Sequence, residues 1–483
     1  MPNRSARPPP SGSWVAHGSV GTTTLEAPDS ARAVDDSDEQ EPALVLVWSE
    51  GEPQRIGEVL LPSEGPAWFG RHVEGDPEAR LVLMRQRPGA NEVSEPLENP
   101  FLSRRHLRIA RTEEGLAVEC FGKRALRVGE AEFEQLHVRP GDVFELRGLY
   151  VFSCVARPPQ LESAESLHDF GASDTHGIVG ESPAAWELRR RIAFCAGRDA
   201  HVLITGPTGT GKELVAQAIH ESSARRGKAL ISRNASTFPS ALIDAELFGN
   251  VANYPNPGMP ERPGLIGQAD RSTLFLDEIG ELPIELQAHL LRVLDSGEYQ
   301  RLGDARPRVS DLRLVAATNR AAAELKEDLA ARLMMRIEVL GLGDRLEDVP
   351  LLARHIVGRI ASRDPQIGAR YLRGWNGRSG ELRIAPDLVR ALMLQDYTAH
   401  VRELEALLWR SMQSSRGGVL ELTAEVRSQL RERAPPRLAR DISASELRAA
   451  MHRHGGVKDR VWRELGLSSR HALHRLMKKL GEA

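Results

Sequence analysis

The spacing of apolar residues changes along the chain and divides it into regions with different predicted structures. Between residues 43 and 157, short apolar runs such as Leu81-Val-Leu-Met84 and Tyr150-Val-Phe-Ser-Cys-Val155 are separated by clusters of Gly, Pro and Asn. Many short strands with turn signals between them are typical of an all-β sandwich. Between residues 177 and 416, strand-like runs alternate with helical patterns, which predicts an α/β core followed by a helical lid.

Polar and proline-rich segments separate these regions. Residues 1–42 combine Pro8-Pro9-Pro10 with an acidic run at 35–41, and such a segment buries too little apolar surface to offset the entropy lost on ordering. The predicted parts are a disordered tail (1–42), a β domain (43–157), a linker (158–176), an α/β domain with a lid (177–416), a second linker (417–440) and a helical module (441–483).

The composition excludes several classes of protein. The 483 residues allow about two to four domains, and the net charge of −3 excludes a uniformly basic nucleic-acid-binding surface. Residues 451–483 differ, since they carry eight Lys or Arg against three acidic residues. Three scattered cysteines argue against a disulfide framework or a zinc ribbon. No apolar run is long enough for a membrane helix and no secretory signal is visible, so we expect a cytoplasmic protein.

A glycine-rich segment follows the apolar run at 202–204 and has the spacing of a phosphate-binding loop. Its glycines allow backbone N–H groups to point at a phosphate, Lys212 can reach the β- and γ-phosphates of ATP, and the next helix presents its N-terminus to the anion. The alternative is a strand-to-helix turn that binds no nucleotide. The candidate nucleotide-binding residues are Gly206, Pro207, Thr208, Gly209, Thr210, Gly211, Lys212 and Glu213.

A second apolar run, Ser272-Thr-Leu-Phe-Leu-Asp-Glu278, ends in two acidic residues. Asp277 is the candidate ligand of Mg²⁺, directly or through water, and Glu278 the candidate group that polarises the attacking water. Two acids after a strand can also cap a helix. Together with the lysine loop, the pair predicts an ATPase.

Residues 178–415 resemble the AAA+ domain of sigma-54-dependent transcription activators. The stretches that carry the resemblance keep their order and near-family spacing, and Glu213 is the residue that this family has after the lysine. They are Ile178-Val-Gly-Glu-Ser182, Gly206 to Glu213, Glu246-Leu-Phe-Gly249, Thr273 to Pro283, Leu286-Gln287 with Leu290 to Leu294, Arg313 to Arg320, Glu347-Asp-Val-Pro350 and Val401-Arg-Glu-Leu404.

The resemblance implies roles for further residues. Asn234 matches the asparagine that pairs with the catalytic glutamate, Asn319 matches the sensor of the γ-phosphate, and Arg402 matches the arginine of the lid. The family has two arginines that reach into the site of the neighbouring subunit; Arg332 keeps one, and Lys326 stands in place of the other. Lysine lacks the planar, bidentate guanidinium. Sites shared between subunits imply a homo-oligomeric ring, a hexamer by resemblance.

The segment that contacts sigma-54 departs from the family. Ungapped spacing places Asn253-Tyr-Pro-Asn-Pro-Gly258 on the family motif Gly-Ala-Phe-Thr-Gly-Ala. Pro255 and Asn256 then replace the key Phe and Thr, and proline restricts the backbone and removes donors. We therefore expect a regulator that does not engage sigma-54 RNA polymerase in the usual way. Three alternatives stay open: a regulator that no longer activates, one acting through another polymerase form, or a tolerated variant.

The β domain contains Trp68-Phe-Gly-Arg71 and Leu102-Ser-Arg-Arg-His106, and resembles the forkhead-associated (FHA) domain, which reads phosphothreonine peptides. The resemblance implies that Arg71, Ser103 and Arg104 bind the phosphate, a dianion that favours charge-assisted donors. His106 would hold the loops. Phe121-Gly-Lys-Arg124 stands where the family has Asn-Gly-Thr. The alternative is a pair of ordinary turns. A phosphothreonine protein or Ser/Thr kinase is the implied partner.

The C-terminal module has the pattern helix, turn, helix, and resembles the Fis-type helix-turn-helix that ends such activators. Leu473, Leu476 and Leu480 repeat along one helical face. The resemblance places the second helix in the major groove of DNA; the alternative is a dimerisation hairpin. The candidate DNA-binding residues are Ser469, Arg470, His471, His474, Arg475, Lys478 and Lys479.

These predictions combine into one architecture: an N-terminal all-β FHA sandwich, a central α/β AAA+ ATPase with a helical lid, and an all-α DNA-binding module. The expected function is ATP-dependent, DNA-bound regulation of transcription with a phosphothreonine input. Two other readings remain: a DNA-bound phosphopeptide adaptor whose ATP site serves assembly, and an ATPase that remodels another target with its terminal helices as an oligomer clamp.

Overall fold

The computed structural model describes residues 40–71, 80–164, 167–239, 242–319, 325–433, 442–456, 458–467 and 470–481. The tail predicted to be disordered lies outside the described residues up to position 39. Residues 41 and 42, which the sequence assigned to that tail, instead begin the first strand, because Glu41 pairs with Arg157 and Pro42 with Ala156 across the ladder. None of the helices in these ranges has the length and apolar character needed to cross a bilayer.

The N-terminal domain consists of antiparallel strands arranged in two sheets over residues 40–71 and 80–157. One sheet has the order β5-β4-β2-β1-β12-β11-β8-β9 and the other β10-β7-β6-β3. Phe69, Phe144 and Phe152 fill the core between the sheets. The strands are β1 Glu41–Ser49, β2 Val59–Leu60, β3 Ala67–Phe69, β4 Met84–Arg87, β5 Ala90–Val93, β6 Leu107–Thr112, β7 Gly115–Cys120, β8 Leu126–Val128, β9 Ala131–Phe133, β10 Gln135–Val138, β11 Val143–Leu146 and β12 Tyr150–Arg157.

Strand β1 is buried on both faces. Leu44 and Leu46 point into the core of the sandwich, whereas Val45 and Val47, on the opposite face, join the apolar core of the helical lid. Because successive side chains of a strand alternate between faces, the unbroken apolar run from Ala43 to Trp48 needs cover on both sides. The sandwich therefore packs directly against the lid.

The central body is a parallel sheet flanked by helices. Its strand order is β14-β15-β18-β13-β19, so the carboxyl ends of β15, β18 and β13 meet at one edge. The elements are α1 Pro183–Ala196, β13 Val202–Thr205, α2 Lys212–Glu221, β14 Ile231–Asn234, α3 Ile243–Phe248, α4 Gly264–Gln268, β15 Thr273–Asp277, α5 Ile284–Ser296, β16 Glu298–Tyr299, β17 Arg308–Val309, β18 Arg313–Thr318, α6 Glu327–Arg332 and β19 Met335–Glu338.

A helical lid follows the body. Residues 417–433, predicted as part of a linker, belong to this lid, since Leu420 pairs with Ile384 and Val426 is buried in the lid core. The lid elements are α7 Val349–Arg363, α8 Pro365–Tyr371, β20 Leu372–Arg373, β21 Glu381–Leu382, α9 Pro386–Met393, α10 His400–Ser414 and α11 Ala424–Arg427.

The C-terminal helices are α12 Ala444–Arg453, α13 Lys458–Glu464 and α14 Arg470–Leu480. They share a small apolar core that includes Leu447, Trp462, Leu473 and Leu476. A capping box between Ser443 and Glu446 fixes the start of α12.

The connection between sandwich and body runs along the edge of the sandwich. Gln86 Nε2 donates to Pro158 O over 2.7 Å, and Gly89 N donates to Leu161 O over 3.0 Å. Arg85 lies over the ring of Phe170 with 5.0 Å to the ring centroid. The predicted linker is thus attached to the sandwich over its described residues, which limits how far the two domains can separate.

Candidate functional site

The glycine-rich segment forms a tight turn between β13 and α2. Gly206, Gly209 and Gly211 have φ values of +153°, +85° and +98°, which L side chains rarely adopt. A Cβ on Gly206 would lie 2.4 Å from Val339 O, and one on Gly209 would lie 2.3 Å from Ala399 O. The backbone angles therefore favour glycine at all three positions, and the close approach of other backbone segments also requires it at Gly206 and Gly209.

Lys212 begins α2 and folds back over the turn. Its Nζ donates to Gly206 O over 2.9 Å and to Pro207 O over 3.3 Å, and only 7% of the residue is exposed. Burial lowers the pKa of Lys212, and the carboxylates of Glu278 and Asp277 oppose that shift. The ammonium group thus lies among carbonyl oxygens, beside the acidic pair.

The acidic pair lies at the end of β15. Asn319 at the end of β18 connects it to the turn: its backbone N donates to Glu278 Oε2 over 3.1 Å, and its Nδ2 donates to Thr208 Oγ1 over 3.2 Å. Glu278 has a φ of +51°, a strained conformation for a residue with a Cβ that is often found at functional sites. The edge of the sheet therefore gathers Thr208, Lys212, Asp277, Glu278 and Asn319.

The side chain of Asn234 contacts a different carboxylate from the one expected. The resemblance implied a contact with Glu278, but Asn234 Nδ2 donates to Asp277 Oδ2 over 3.3 Å. The reason is the strand register, which places Asn234 directly opposite Asp277 between β14 and β15. Asn234 Oδ1 accepts from Ser236 N over 2.9 Å, which starts the following turn.

The lid reaches the glycine-rich turn through the start of α10. Val401 N donates to Gly209 O over 3.2 Å. The positive charge of Arg402 lies close enough to Lys212 to lower the pKa of that lysine. His400 has a φ of +52°, and its Nδ1 accepts from Leu342 N over 3.2 Å. The position of the lid therefore determines where Arg402 lies relative to the turn.

Lys326 and Arg332 lie on a different part of the body. Lys326 occupies the position just before α6, and its backbone N donates to Gln287 Oε1 over 3.1 Å. Arg332, at the end of α6, forms an exposed ion pair with Asp295 of α5. The structure thus groups these two residues with α5 rather than with the glycine-rich turn.

The segment that replaces the sigma-54 motif is closed on itself. Asn250 and Arg262 exchange backbone hydrogen bonds of 3.1 and 3.0 Å. The buried Asn250 side chain donates to the carbonyls of Val251, Tyr254 and Pro260. Leu302, in the loop between β16 and β17, bonds to Val251 and Gly249. The segment is thus bound to the neighbouring hairpin.

The predicted phosphate-binding loops of the sandwich meet around His106, which is fully buried. Its Nδ1 accepts from Ser103 N over 3.0 Å, and its Nε2 lies 3.1 Å from Arg124 O. Arg71 N donates to Ser103 O over 3.0 Å. Arg71 and Ser103 are half-buried and Arg104 is exposed, so the structure brings the predicted residues together. Burial lowers the pKa of His106, which favours the neutral ring.

The candidate DNA-binding residues lie on α14, apart from Ser469, which lies outside the described residues. His474 is half-buried and Lys478 is exposed. Arg470, His471, Arg475 and Lys479 lie on the same helix.

Sequence reasoning missed a set of charged residues at the contact between sandwich and body. Arg87 and Arg157 of the sandwich are 4% and 1% exposed, and both contact Glu181. The continuous apolar run of β1 was the available signal, because it predicts that the sandwich is covered on its outer face.

Comparison with known proteins agrees with this arrangement of the body. A family model described as the sigma-54 interaction domain matches residues 178–343. The chain is 36% identical over 289 residues to the formate hydrogenlyase transcriptional activator of Salmonella typhimurium strain LT2, covering 58% of this chain and 39% of that protein. It is 36% identical over 313 residues to the transcriptional regulatory protein ZraR of Escherichia coli K12, covering 62% of this chain and 68% of ZraR.

A solved structure, NtrX from Brucella abortus in complex with ADP, is 29% identical, covers 64% of this chain and 70% of that chain, and superposes with a TM-score of 0.45. The assignment to a family rests on the sequence comparisons and not on this superposition. The match to ZraR covers more than two thirds of that protein. The chain therefore belongs to the family of sigma-54-dependent transcriptional activators.

Proposed function

We propose that this chain binds ATP with Mg²⁺ between the glycine-rich turn and the acidic pair, and hydrolyses it to regulate transcription while bound to DNA. The observation that carries the proposal is the convergence of Lys212, Asp277, Glu278 and Asn319 at one edge of the parallel sheet. Ligands of open α/β sheets bind at the carboxyl ends of the strands. The turn and the helix start supply donors for a triphosphate.

Each residue has a defined part in the proposed reaction. Lys212 exchanges the carbonyls of Gly206 and Pro207 for β- and γ-phosphate oxygens. Asp277 supplies the carboxylate that Mg²⁺ prefers as a ligand, and the bound ion would offset the charge of the phosphates. Glu278 accepts the proton of the water that attacks the γ-phosphorus, as the bond from phosphorus to the β–γ bridging oxygen breaks.

We propose that Asn319 senses this reaction. It donates through its backbone to Glu278 and through its side chain to Thr208, so a change at the γ-phosphate alters both contacts. Asn234 holds Asp277 in place, and Arg402 approaches the phosphates from the lid. We propose that Arg332 and Lys326 act on the site of a neighbouring copy in a homo-oligomeric ring, since they lie away from the turn of their own protomer.

We also propose that the sandwich is an FHA domain that binds phosphothreonine. Arg71, Ser103 and Arg104 converge on the loops that His106 holds together. Phe121-Gly-Lys-Arg124 holds this histidine by hydrogen bonds: Phe121 N and Gly122 N donate to His106 O, and Arg124 O lies 3.1 Å from His106 Nε2. A Cβ on Gly122 would lie 2.1 Å from the His106 ring, so the approach is close.

Arg71→Ala is expected to weaken binding of a phosphothreonine-peptide library by roughly tenfold or more, because it removes a charge-assisted donor from a dianion. Fluorescence titration with phosphorylated and unphosphorylated libraries measures the effect. Arg147→Ala, an exposed arginine of the same sandwich that pairs with Glu132, is the control. Equal titration curves for Arg71→Ala and the parent chain would contradict the FHA assignment.

For the C-terminal helices we propose a Fis-type DNA-binding module with α14 in the major groove. The positive charge of residues 451–483 supports this role. Arg470 and Arg475 are the proposed base or phosphate contacts, and Lys478 and Lys479 the phosphate contacts. Retention of the full chain on specific genomic fragments would separate this proposal from an oligomer clamp.

We further propose that the chain does not open promoters with sigma-54 polymerase in the usual way. The hydrogen bonds within residues 250–262, and to the β16–β17 loop, support this proposal. In vitro transcription with sigma-54 polymerase, ATP and this chain is expected to give no open complex. Replacing residues 253–258 with Gly-Ala-Phe-Thr-Gly-Ala is the matched variant. Promoter opening by the unaltered chain would overturn this part of the account.

A further inference from the structure

The last strand of the sandwich ends at the junction between body and lid. Arg157 of β12 is 1% exposed. Its Nη2 donates to Glu181 O over 2.7 Å, and its Nη1 lies 3.8 Å from Glu347 Oε1. Glu181 lies two residues before the start of the body helix α1. Glu347 lies two residues before the start of α7, the first helix of the lid. One sandwich side chain therefore contacts both sides of the junction.

The sandwich also neutralises a buried charge of the body. Glu181 is 2% exposed. Both of its carboxylate oxygens accept from Arg87 Nη1, each over 3.1 Å. It also accepts from Trp186 Nε1 and Gly171 N. A buried carboxylate is costly unless it is paired and hydrogen-bonded. His168 Nε2 also lies 3.4 Å from Glu181 Oε1, so the sandwich, through Arg87, supplies one of the groups that stabilise this buried carboxylate.

Body and lid meet closely at the same place. Asp348 Oδ1 accepts from Glu181 N over 2.8 Å and from Ser182 N over 3.0 Å. A Cβ on Gly180 would lie 2.5 Å from Asp348 Oδ2, so the junction has no spare room. Because the lid also carries Arg402 to the glycine-rich turn, its angle at this junction affects the candidate phosphate site.

The sandwich holds the lid at a second point. Trp48 Nε1 donates to Ile384 O over 2.8 Å, and Arg127 Nη2 donates to Asp387 Oδ1 of α9 over 2.7 Å. Arg390 of α9 lies 3.6 Å from the sandwich's Glu145. Together with the contacts of Val45 and Val47, these bonds join the lid to one sheet of the sandwich.

We propose that the sandwich is a clamp on the body–lid junction, and that Arg157 is the positioning residue through which it sets the angle of the lid. The inference rests on the proposed nucleotide site and goes beyond it, because it assigns the N-terminal domain a direct part in nucleotide affinity. By thermodynamic linkage, a ligand that shifts the sandwich relative to the junction changes nucleotide affinity, and nucleotide changes affinity for that ligand by the same factor.

Arg157→Met in the full chain tests the clamp, since methionine retains apolar volume and removes the charge. We expect faster hydrogen exchange of amides at residues 181–182 and in the first turns of α7, and roughly tenfold weaker ADP binding. Arg147→Met, which removes an exposed arginine of the same sandwich, should leave both quantities unchanged. Parent-like exchange at the junction in Arg157→Met would overturn the clamp.

Glu347→Gln and the Arg157→Met/Glu347→Gln pair complete a double-mutant cycle, and a non-additive effect on exchange is expected for side chains that act together. Purely additive effects would contradict the coupling.

If Arg157→Met does not fold, Asp387→Asn at the second contact tests the clamp with a less disruptive substitution. Faster hydrogen exchange in α9 and α7 is expected, and parent-like exchange would count against the clamp. Exchange decides the clamp even if the parent chain binds no ADP, an outcome that would reject only the proposed nucleotide site.

Discussion

Glu278→Gln is expected to leave ATP binding intact and to slow hydrolysis by roughly 10²–10⁴-fold, the usual contribution of a positioned general base. Glutamine keeps the shape of the side chain and can still accept a hydrogen bond from Asn319 N, which now contacts Glu278 Oε2. It cannot take a proton from water at neutral pH. Lys212 and the glycine-rich turn, which are proposed to hold the phosphates, are unchanged.

The two measurements are phosphate release at saturating ATP and equilibrium binding of ATP. Glu285→Gln, an exposed glutamate in the first turn of α5, is the control and should hydrolyse ATP like the parent chain. Normal turnover by Glu278→Gln would remove this residue from the role of general base. Loss of binding together with turnover would instead give it a part in holding the nucleotide.

Lys212→Ala is expected to weaken ATP binding by roughly 100-fold or more, because two charge-assisted hydrogen bonds to phosphate are lost, each worth about 1.5–3 kcal/mol. The ammonium is already buried and held by two carbonyls of the turn, so little ordering is needed before it meets a phosphate. The substitution also removes the positive charge that interacts with the carboxylates of Asp277 and Glu278, which adds repulsion toward a triphosphate.

Calorimetric titration with ATP and Mg²⁺ measures this loss. Lys228→Ala, which removes an exposed lysine beyond the end of α2, is the matched control, and the unfolding temperature of both variants shows whether the fold is retained. An ATP affinity equal to that of the parent chain in a folded Lys212→Ala variant would refute the assignment of the phosphate loop.

The sequence predicted the α/β body, because this prediction depends on short-range patterns. The apolar run before Gly206 and the run before Asp277 each predict a strand, and parallel strands bring their carboxyl ends together. The structure confirms the central α/β body and the antiparallel N-terminal region. What the spacing could not give is the register between β14 and β15, which places Asn234 opposite Asp277 instead of beside Glu278.

Such patterns indicate that the outer face of β1 is covered, but they do not identify the charged partners between domains. Nothing near Arg87 or Arg157 in the sequence distinguishes these arginines from exposed ones, since their partner Glu181 lies on another domain. Residues 417–433 were misjudged as linker because they carry many charges and Pro435-Pro436 follow just beyond them. Leu420 and Val426 are nevertheless buried in the lid core, and Leu422 and Leu430 pack against it. In both cases the deciding interaction joins residues far apart in the chain.

The most direct test of the central claim is an ATPase assay of the purified full chain. Phosphate release from ATP is measured with Mg²⁺ over a wide range of protein concentration. The account predicts that turnover per protomer rises steeply with concentration, because Arg332 completes the site of a neighbouring copy. A folded chain that binds no ATP and releases no phosphate at any concentration would contradict it.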